Sequence, residues 1–216
     1  MVYERILLDV EAQRDFFAPA GRLYTPQADK AAKQIQRLFA WAKAENIPVI
    51  STVLRVRPDR LSPFGVPVCI EGTAGERRLP KTVLPRRIDF GLRNVTDLPP
   101  KALRQYRQLV FEQRVTDIFT HSRLERLITE LGPSTFVLCG AGLSHGVFQA
   151  AVGLRARGFG VILASDAVVA LPGEKAEMAI LCMEAKGVVF APTRLIVTPG
   201  RRRPTAAFRT ALPARS

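Results

Sequence analysis

The turn from Gly142 to Gly146, with the sequence GLSHG, has residue types and spacing that could serve catalysis. A turn between a strand and a helix is where an α/β enzyme presents its nucleophile, and the pattern G-x-S-x-G places a serine there. Ser144 is therefore one candidate nucleophile. A serine triad in this order needs an aspartate and then a histidine farther along the chain, and no histidine follows His145. We therefore favour a capping role, with Ser144 accepting hydrogen bonds from the first amides of the helix.

Two acidic residues near the amino terminus could accept or donate protons. Asp9 and Glu11 end an apolar run, and residues two apart on a strand share one face. Two buried carboxyls resist joint ionisation. We therefore expect Glu11 alone to reach a site, with Asp9 held by a backbone group or an arginine.

The cysteines and histidines do not form a metal-binding pattern. Cys69, Cys139 and Cys182 are an odd number without close spacing, and His121 and His145 match no zinc motif. We expect free thiols, no metal and no cofactor. Cys139 and Cys182 are predicted to be packed, because free cysteine is often buried. Cys69 falls in a loop segment and remains a candidate pocket residue.

The elements that must position these residues alternate between strands and helices. Strands are predicted at 5–11, 47–54, 108–111, 135–140, 160–164 and 187–190, and helices at 26–46, 122–131, 146–157 and 173–185. Right-handed crossovers between such strands give a parallel sheet. We predict an α/β fold, a three-layer α/β/α sandwich with a six-stranded, mostly parallel sheet. Residues 55–98 are predicted to be loops over one end of it, where ligands usually bind.

Composition limits the remaining classes. The 216 residues suit one domain, predicted at 1–195, followed by a basic, proline-interrupted tail at 196–216. No apolar run is long enough for a membrane span, and charges near the amino terminus do not suit a signal peptide, so we expect a cytoplasmic protein. The net charge of +13 is mostly scattered. The run Arg201 to Arg203 suggests a tail that contacts an acidic partner, and nucleic-acid binding is not expected.

Four sequence blocks match one family of enzymes in order and spacing. They are EAQRDF at 11–16, CIEGTAG at 69–75, QRVTDIFTHSRL at 113–124, and a strand, turn, helix and strand from Gly140 to Ala167. These resemble the motifs D-x-Q-x-D-F, C-x-x-G-T-x-G, K-x-x-x-S-A-F-x-x-T-x-L and G-V-A-T-D-x-C-V of the isochorismatase-like, or cysteine hydrolase, superfamily. That family includes nicotinamidases and N-carbamoylsarcosine amidases. The resemblance covers residues 4 to about 193 and implies a Rossmann-like fold.

The resemblance also assigns catalytic positions. In the family an aspartate, a lysine and a cysteine act together, with the cysteine at a helix amino terminus where its thiolate is favoured. The matching positions here are Glu11, Gln113 and Gly146. All three residues differ from the family pattern, and glycine has no side chain to act as a nucleophile. Glu112 and Arg114 flank Gln113 and should face away from its side chain, with structural roles.

Other expectations follow from the same resemblance. Residues expected around a ligand pocket are Phe16, Cys69, Gly142, Leu143 and His145. A non-proline cis peptide is expected near Gly142 and Leu143, and a homo-oligomer is expected. The zinc ligands of the nicotinamidase branch have no counterpart in residues 51–64, STVLRVRPDRLSPF.

Two functions remain open. The first is an atypical or catalytically inactive family member that binds a small molecule or acts through assembly. The second is an atypical hydrolase of a small amide or ester, with Glu11 as base and Ser144 or water as nucleophile. Loss of one member of a cooperating triad removes most of its rate acceleration, which favours the first function.

Overall fold

The computed structural model describes residues 2–132 and 134–198. Its strands are β1 (Arg5–Val10), β2 (Val49–Leu54), β3 (Arg87–Asp89), β4 (Gln108–Gln113), β5 (Thr135–Ala141), β6 (Gly160–Val169) and β7 (Val189–Ala191). Its α-helices are α1 (Arg14–Phe17), α2 (Gln27–Ala44), α3 (Ala102–Gln105), α4 (Ser122–Thr129), α5 (Gly146–Ala156), α6 (Ala176–Ala185) and α7 (Thr193–Ile196), and a 3-10 helix spans Ile118–Thr120. The predicted tail lies outside the described residues from position 199 onward.

The strands form one parallel sheet in the order β3-β4-β2-β1-β5-β6-β7. The α/β fold and the parallel sheet predicted from the sequence are confirmed, but the sheet has seven strands rather than six. The missed strand is β3, which has three residues, two of them exposed, inside the segment predicted as loops. A strand this short has too few residues for an alternating pattern.

Two apolar clusters cover the two faces of the sheet. One contains Leu8 and Val10 of β1 with residues of α4, α5 and α6. The other contains Leu7 of β1 with residues of α2 and Ile196 of α7. Alternate strand residues supply the two faces, which explains the nearly continuous apolar runs in the sequence. This arrangement confirms the three-layer sandwich.

The order of the strands predicts a ligand crevice at the centre of the sheet. From β1, the chain adds β2, β4 and β3 on one side and β5, β6 and β7 on the other. The connections that leave β1 and β5 therefore run in opposite directions along the sheet, away from the gap between these two strands. In open α/β sheets, ligands bind outside the carboxyl ends of the strands at such a point.

Two predicted boundaries move in ways that affect this crevice. β1 ends at Val10, so Glu11 lies just outside the strand. β6 continues to Val169, five residues beyond the predicted end at Ala164, with a register irregularity opposite β5. None of the described helices has the length and hydropathy needed to cross a membrane.

Candidate functional site

Glu11 follows the last residue of β1, and its side chain does not continue the alternation of strand side chains between the two faces of the sheet. Its backbone is left-handed, with φ of 56°, a conformation that residues other than glycine rarely adopt. Its amide donates to the Thr52 carbonyl at 3.2 Å. The turned backbone carries the carboxyl to the sheet face covered by α5, instead of the face that strand alternation would give it.

Asp9 keeps to the strand and faces the opposite layer. Its Oδ2 accepts a hydrogen bond of 2.5 Å from Arg78, which also donates to the hydroxyl of Ser51 and the carbonyl of Thr82. This confirms the expectation that an arginine holds Asp9. The ion pair of Asp9 and Arg78 joins the 76–84 loop to the sheet. The carboxyl groups of Asp9 and Glu11 therefore face different layers, and only that of Asp9 is paired with an arginine.

The structure brings together the three positions that the resemblance assigns to the triad. Gln113 Nε2 lies 3.4 Å from Glu11 Oε1. A Cβ placed on Gly146 would lie 3.4 Å from the same Glu11 oxygen and 3.4 Å from the Thr116 carbonyl oxygen. A side chain at position 146 would therefore begin in contact with the Glu11 carboxyl.

The Glu11 carboxyl is in an environment that favours its neutral form. Its side chain is fully buried, and burial is the main reason that its pKa is raised to about 8. The hydrogen bond from Gln113 lowers the pKa, and the charges of Asp9 and Glu174 raise it. The second oxygen of Glu11 has no hydrogen-bond partner among the described residues. At neutral pH most molecules carry a protonated Glu11.

Glu174 fixes the turn that precedes α5. Its Oε1 accepts hydrogen bonds from the Ser144 amide at 3.1 Å and from His145 Nδ1 at 2.5 Å, and its Oε2 accepts from the Leu171 amide at 2.8 Å. The carboxylate side chain is 1% exposed. No sequence motif marked this residue, which lies 28 positions after Gly146 in the loop before α6.

Ser144 does not play the predicted capping role. The residue before α5 is His145, and no side chain caps the helix there. The buried Ser144 hydroxyl has no hydrogen-bond partner among the described residues, including Glu11. The capping interpretation is therefore wrong, and the carboxylate of Glu174 instead holds the backbone one step earlier, at the Ser144 amide.

Aromatic rings cover one side of this turn. The Phe64 ring packs edge-on against His145 with ring centroids 4.9 Å apart and against Phe16 at 5.6 Å. Phe16 is fully buried and Leu143 is nearly so. Gly142 takes a positive φ of 80°, and the expected cis peptide beside it is wrong because the peptides of the described residues are all trans. Of the predicted pocket residues near the turn, His145 is the one with substantial exposure, at 37%.

The three cysteines are free thiols, and two of them are buried. Cys69 is buried, its amide donates to Asp15 Oδ2 at 2.6 Å, and burial raises the pKa of its thiol far above the usual range. Cys139 is also buried, as predicted, and burial raises the pKa of its thiol. Cys182 is exposed, so the expectation that it is packed is wrong. Its position on the outer face of α6 explains the difference.

Two polar residues of the first block have structural roles that the motif alone did not reveal. Gln13 Nε2 donates to the carbonyls of Leu54 and Glu76, and its oxygen accepts from the Leu54 amide. Asp15 accepts from Cys69, and a Cβ on Gly75 would collide with its carboxylate at 2.2 Å. The first and second blocks therefore join the loop after β2 to the end of β1.

The charged residues beside Gln113 face away from it, as predicted. Glu112 pairs with Arg55 at 2.7 Å, and Arg114 pairs with Glu71 at 2.8 Å. These ion pairs hold the 55–76 loop against the end of β4. Neither contributes to the group formed by Glu11 and Gln113.

Residues 51–64, where the nicotinamidase branch binds zinc, do not fit that metal. Asp59 is the single acidic residue of this segment and lies 3.5 Å from Arg57. The described ranges contain no group of three or more histidine, cysteine or acidic side chains that could hold a metal ion. Imidazole, thiolate and carboxylate groups are the usual zinc ligands, and this segment offers only one of them.

A groove of about 450 Å³ lies on the other side of the turn, between β6 and α6. It is mainly apolar, and its lining includes Leu143, Val168, Ile180 and Phe190. Glu11 and Gln113 do not line it. The groove is therefore a separate surface that shares one residue with the turn before α5.

Three solved structures with the same fold are amidases. N-carbamoylsarcosine amidase from Thermoplasma acidophilum is 18% identical, with a TM-score of 0.65 over 88% of this chain and 97% of that one. Nicotinamidase from Bacillus subtilis is 19% identical, with a TM-score of 0.66 over 88% and 99%. Pyrazinamidase of Pyrococcus horikoshii, solved in complex with zinc, is 20% identical, with a TM-score of 0.66 over 88% and 99%. These similarities show the fold. No curated protein sequence matches the chain.

The sequence itself carries the family relationship. The model of the isochorismatase domain matches residues 5–194, which is most of the chain. That range includes the four blocks and all seven strands of the sheet. The chain belongs to the isochorismatase family.

Proposed function

We propose that this chain is an isochorismatase-family protein without covalent cysteine chemistry, which binds a small molecule at the crevice between β1 and β5. One observation carries the proposal. The position that faces the Glu11 carboxyl, where the resemblance places the family's nucleophile, is Gly146. Among the described residues, no cysteine thiol or serine hydroxyl makes a hydrogen bond to Glu11, whose side-chain partner is Gln113.

Burial and charge support a binding role over the thioester route. Glu11 and Gln113 are almost completely inaccessible, and Glu11 is mostly neutral at pH 7 because burial raises its pKa to about 8. The family's lysine cation, which would favour a thiolate, is replaced by the neutral Gln113 amide. Beside these two buried residues, the turn before α5 presents the partly exposed His145, with the Phe64 ring packed against it.

The second candidate is an atypical hydrolase that uses Glu11 as base and Ser144 or water as nucleophile. The position of Glu11, 3.4 Å from a Cβ placed on Gly146, favours it. A mostly protonated carboxyl is a poor base at neutral pH, however, since a base must begin with its proton removed. The candidate therefore ranks below the binding role.

Binding and turnover can be measured with the same two compounds. The two compounds are nicotinamide and N-carbamoylsarcosine, after which two enzymes with the same fold are named. We expect one of them to shift the backbone NMR signals of His145 and Gly146 without release of ammonia. Absence of any shift with both compounds would contradict this choice of ligands. If the wild-type chain releases ammonia and the Glu11→Gln variant releases it more slowly, the protein is a hydrolase, as in the second candidate, and the binding role is wrong.

We also propose assembly and a cytoplasmic location. The three cysteines are unpaired, which suits a reducing compartment. Met178 and Leu181 are three residues apart on α6, and each is about three-fifths exposed beside the apolar groove. A second copy could insert these side chains into that groove while offering its own groove in return. Such a two-fold contact uses one surface twice, as most homo-oligomers do.

A further inference from the structure

His145 and Glu174 form a pair whose geometry is typical of a proton-accepting dyad. Nδ1 of the imidazole lies 2.5 Å from a carboxylate oxygen. When the ring is neutral, Nδ1 must carry the hydrogen to bond with a carboxylate, which leaves the lone pair on Nε2. A carboxylate that fixes the tautomer in this way is how many enzymes hold a histidine as a base.

Glu174 is anchored well enough to hold this tautomer. Its two oxygens accept from His145, from the Ser144 amide and from the Leu171 amide, and its side chain is 1% exposed. Three donors from separate positions fix both oxygens. The carboxylate also lies beside the amino terminus of α5, where the helix dipole favours negative charge.

The imidazole of His145 is partly exposed, and its second nitrogen is unpaired. The side chain is 37% exposed, and among the described residues its ring bonds to Glu174 through Nδ1 and to no partner through Nε2. The edge-on Phe64 ring restricts rotation of the imidazole. Gly146 directly follows His145, and a Cβ placed on it would lie 3.4 Å from Glu11 Oε1, so the dyad and the buried carboxyl are neighbours at the same turn.

We propose that His145 is the proton acceptor of this site, positioned by Glu174, and that its Nε2 takes a proton from the O–H or N–H of a bound water or small molecule. In this step the donor's X–H bond breaks, its electron pair stays on the donor atom, and a new N–H bond forms at Nε2. Glu174 stabilises the imidazolium without taking a proton. The inference rests on the proposed ligand crevice, but it does not depend on the absence of cysteine chemistry.

The other histidine provides an internal control. The chain has two histidines, and His121 is 4% exposed with its Nε2 3.2 Å from the Gly91 carbonyl. A carbonyl oxygen can only accept, so a neutral His121 carries its hydrogen on Nε2. The two histidines should therefore be opposite tautomers in the same molecule.

Nitrogen NMR of the full chain with ¹⁵N-labelled histidine tests the tautomers directly. We expect His145 to show a protonated Nδ1 and an unprotonated Nε2, and His121 to show the reverse. An Nε2–H tautomer at His145 would overturn the proposal, because that nitrogen could not accept a proton. This readout uses the wild-type chain, so it does not depend on whether a variant folds.

Reaction with diethyl pyrocarbonate, followed by peptide mass analysis, tests the positioning role. Nε2 of His145 attacks the reagent's carbonyl carbon, ethyl carbonate leaves, and the Nδ1 proton is lost. We expect Glu174→Gln to slow this reaction by about tenfold or more, as loss of an orienting carboxylate commonly does. Glu177→Gln, an exposed change three residues later in α6, should leave it unchanged. Equal rates in wild type and Glu174→Gln would overturn the role of Glu174.

These results are distinguishable from those of the ligand test. If neither nicotinamide nor N-carbamoylsarcosine binds but the tautomers are as expected, the chosen ligands fail and the dyad stands. If a compound binds and His145 has the opposite tautomer, the crevice stands and the dyad fails. Each readout therefore decides one proposal.

Discussion

Glu11 is an ionisable side chain held where its charge is unfavourable. A left-handed backbone at a residue other than glycine costs about 1–3 kcal/mol, and full burial penalises the carboxylate further. The surrounding contacts nevertheless keep it in place, since the Thr52 carbonyl holds its amide and Gln113 lies against its oxygen. Such strain at a crevice is more often associated with function than with stability.

Replacement of Glu11 by glutamine should change the pH dependence of stability. Because the folded pKa is about 8 and the ordinary value is 4.5, the folded chain binds more protons between these values, and its stability falls as pH rises through this window. The full shift corresponds to an upper limit of about 5 kcal/mol. Urea unfolding from pH 5 to pH 9 should show Glu11→Gln gaining on wild type as pH rises.

Burial also raises the pKa of Asp9, which adds its own pH dependence to the stability of both proteins. The quantity to compare is therefore the difference in free energy of unfolding between wild type and Glu11→Gln at each pH. The exposed Glu177→Gln variant should follow the wild-type curve. Parallel curves for wild type and Glu11→Gln would contradict the placement of a protonated Glu11 in the core.

At the scale of elements, the end of β5 and the start of α5 contain two glycines with different constraints. Gly140 has φ of 132°, and a Cβ there would lie 1.8 Å from the Val10 carbonyl oxygen. At Gly146 the nearest atom to a Cβ would be Val10 Cγ1 at 3.0 Å, which a small side-chain shift can relieve. The fold therefore requires glycine at Gly140, whereas Gly146 has room for a small side chain.

Alanine at these two positions should give clearly different stabilities. Gly140→Ala should lower the free energy of unfolding by about 3 kcal/mol or more, because the clash is with backbone. Gly146→Ala should change it by less than about 1 kcal/mol, since alanine's helix propensity offsets the contact with Val10. Thermal and urea unfolding of the two variants provide the comparison. Equal losses in both would mean that the backbone of the turn differs from the one described.

Much of this element pattern was predictable from sequence, and the failures have physical causes. The blocks from Gly140 to Ala167 identified the strand, turn and helix, because glycines and apolar periodicity mark them locally. The direction of Glu11 was not predictable, since one left-handed residue overrides strand alternation. Glu174 and Arg78 were missed because each meets its partner across a distance in sequence that no local pattern reports.

At the scale of the whole molecule, the sheet divides into a half that carries the loops and a half that carries α6. Loops from 55 to 86 are tied to the end of β1 and to β2 through Gln13, Asp15 and Arg78, and to β4 through the pair of Arg55 and Glu112. On the opposite side, α6 exposes Met178 and Leu181 next to the apolar groove. The first half therefore lies around the proposed crevice, and the second carries the apolar surface on which we propose that a second copy packs.

A charge on the α6 surface should disrupt assembly. Leu181→Glu places a carboxylate where we propose that a second copy packs, so the variant should have a lower mass by sedimentation or light scattering than wild type. Leu61→Glu is the matched control, because Leu61 is 74% exposed on a loop away from α6. A wild-type monomer, or equal masses for wild type and Leu181→Glu, would contradict this surface.

The central claim is that this chain keeps the family's fold but forms no covalent acyl intermediate with a substrate. Trapping of an acyl adduct on the protein tests this claim most directly. Cys182→Ser removes the exposed thiol and serves as the background, with and without Gly146→Cys. Each chain is quenched with acid during incubation with nicotinamide, and its intact mass is measured. We predict no nicotinoyl adduct on the chain with Gly146. An adduct on that chain, mapped to any residue of the crevice, would contradict the account.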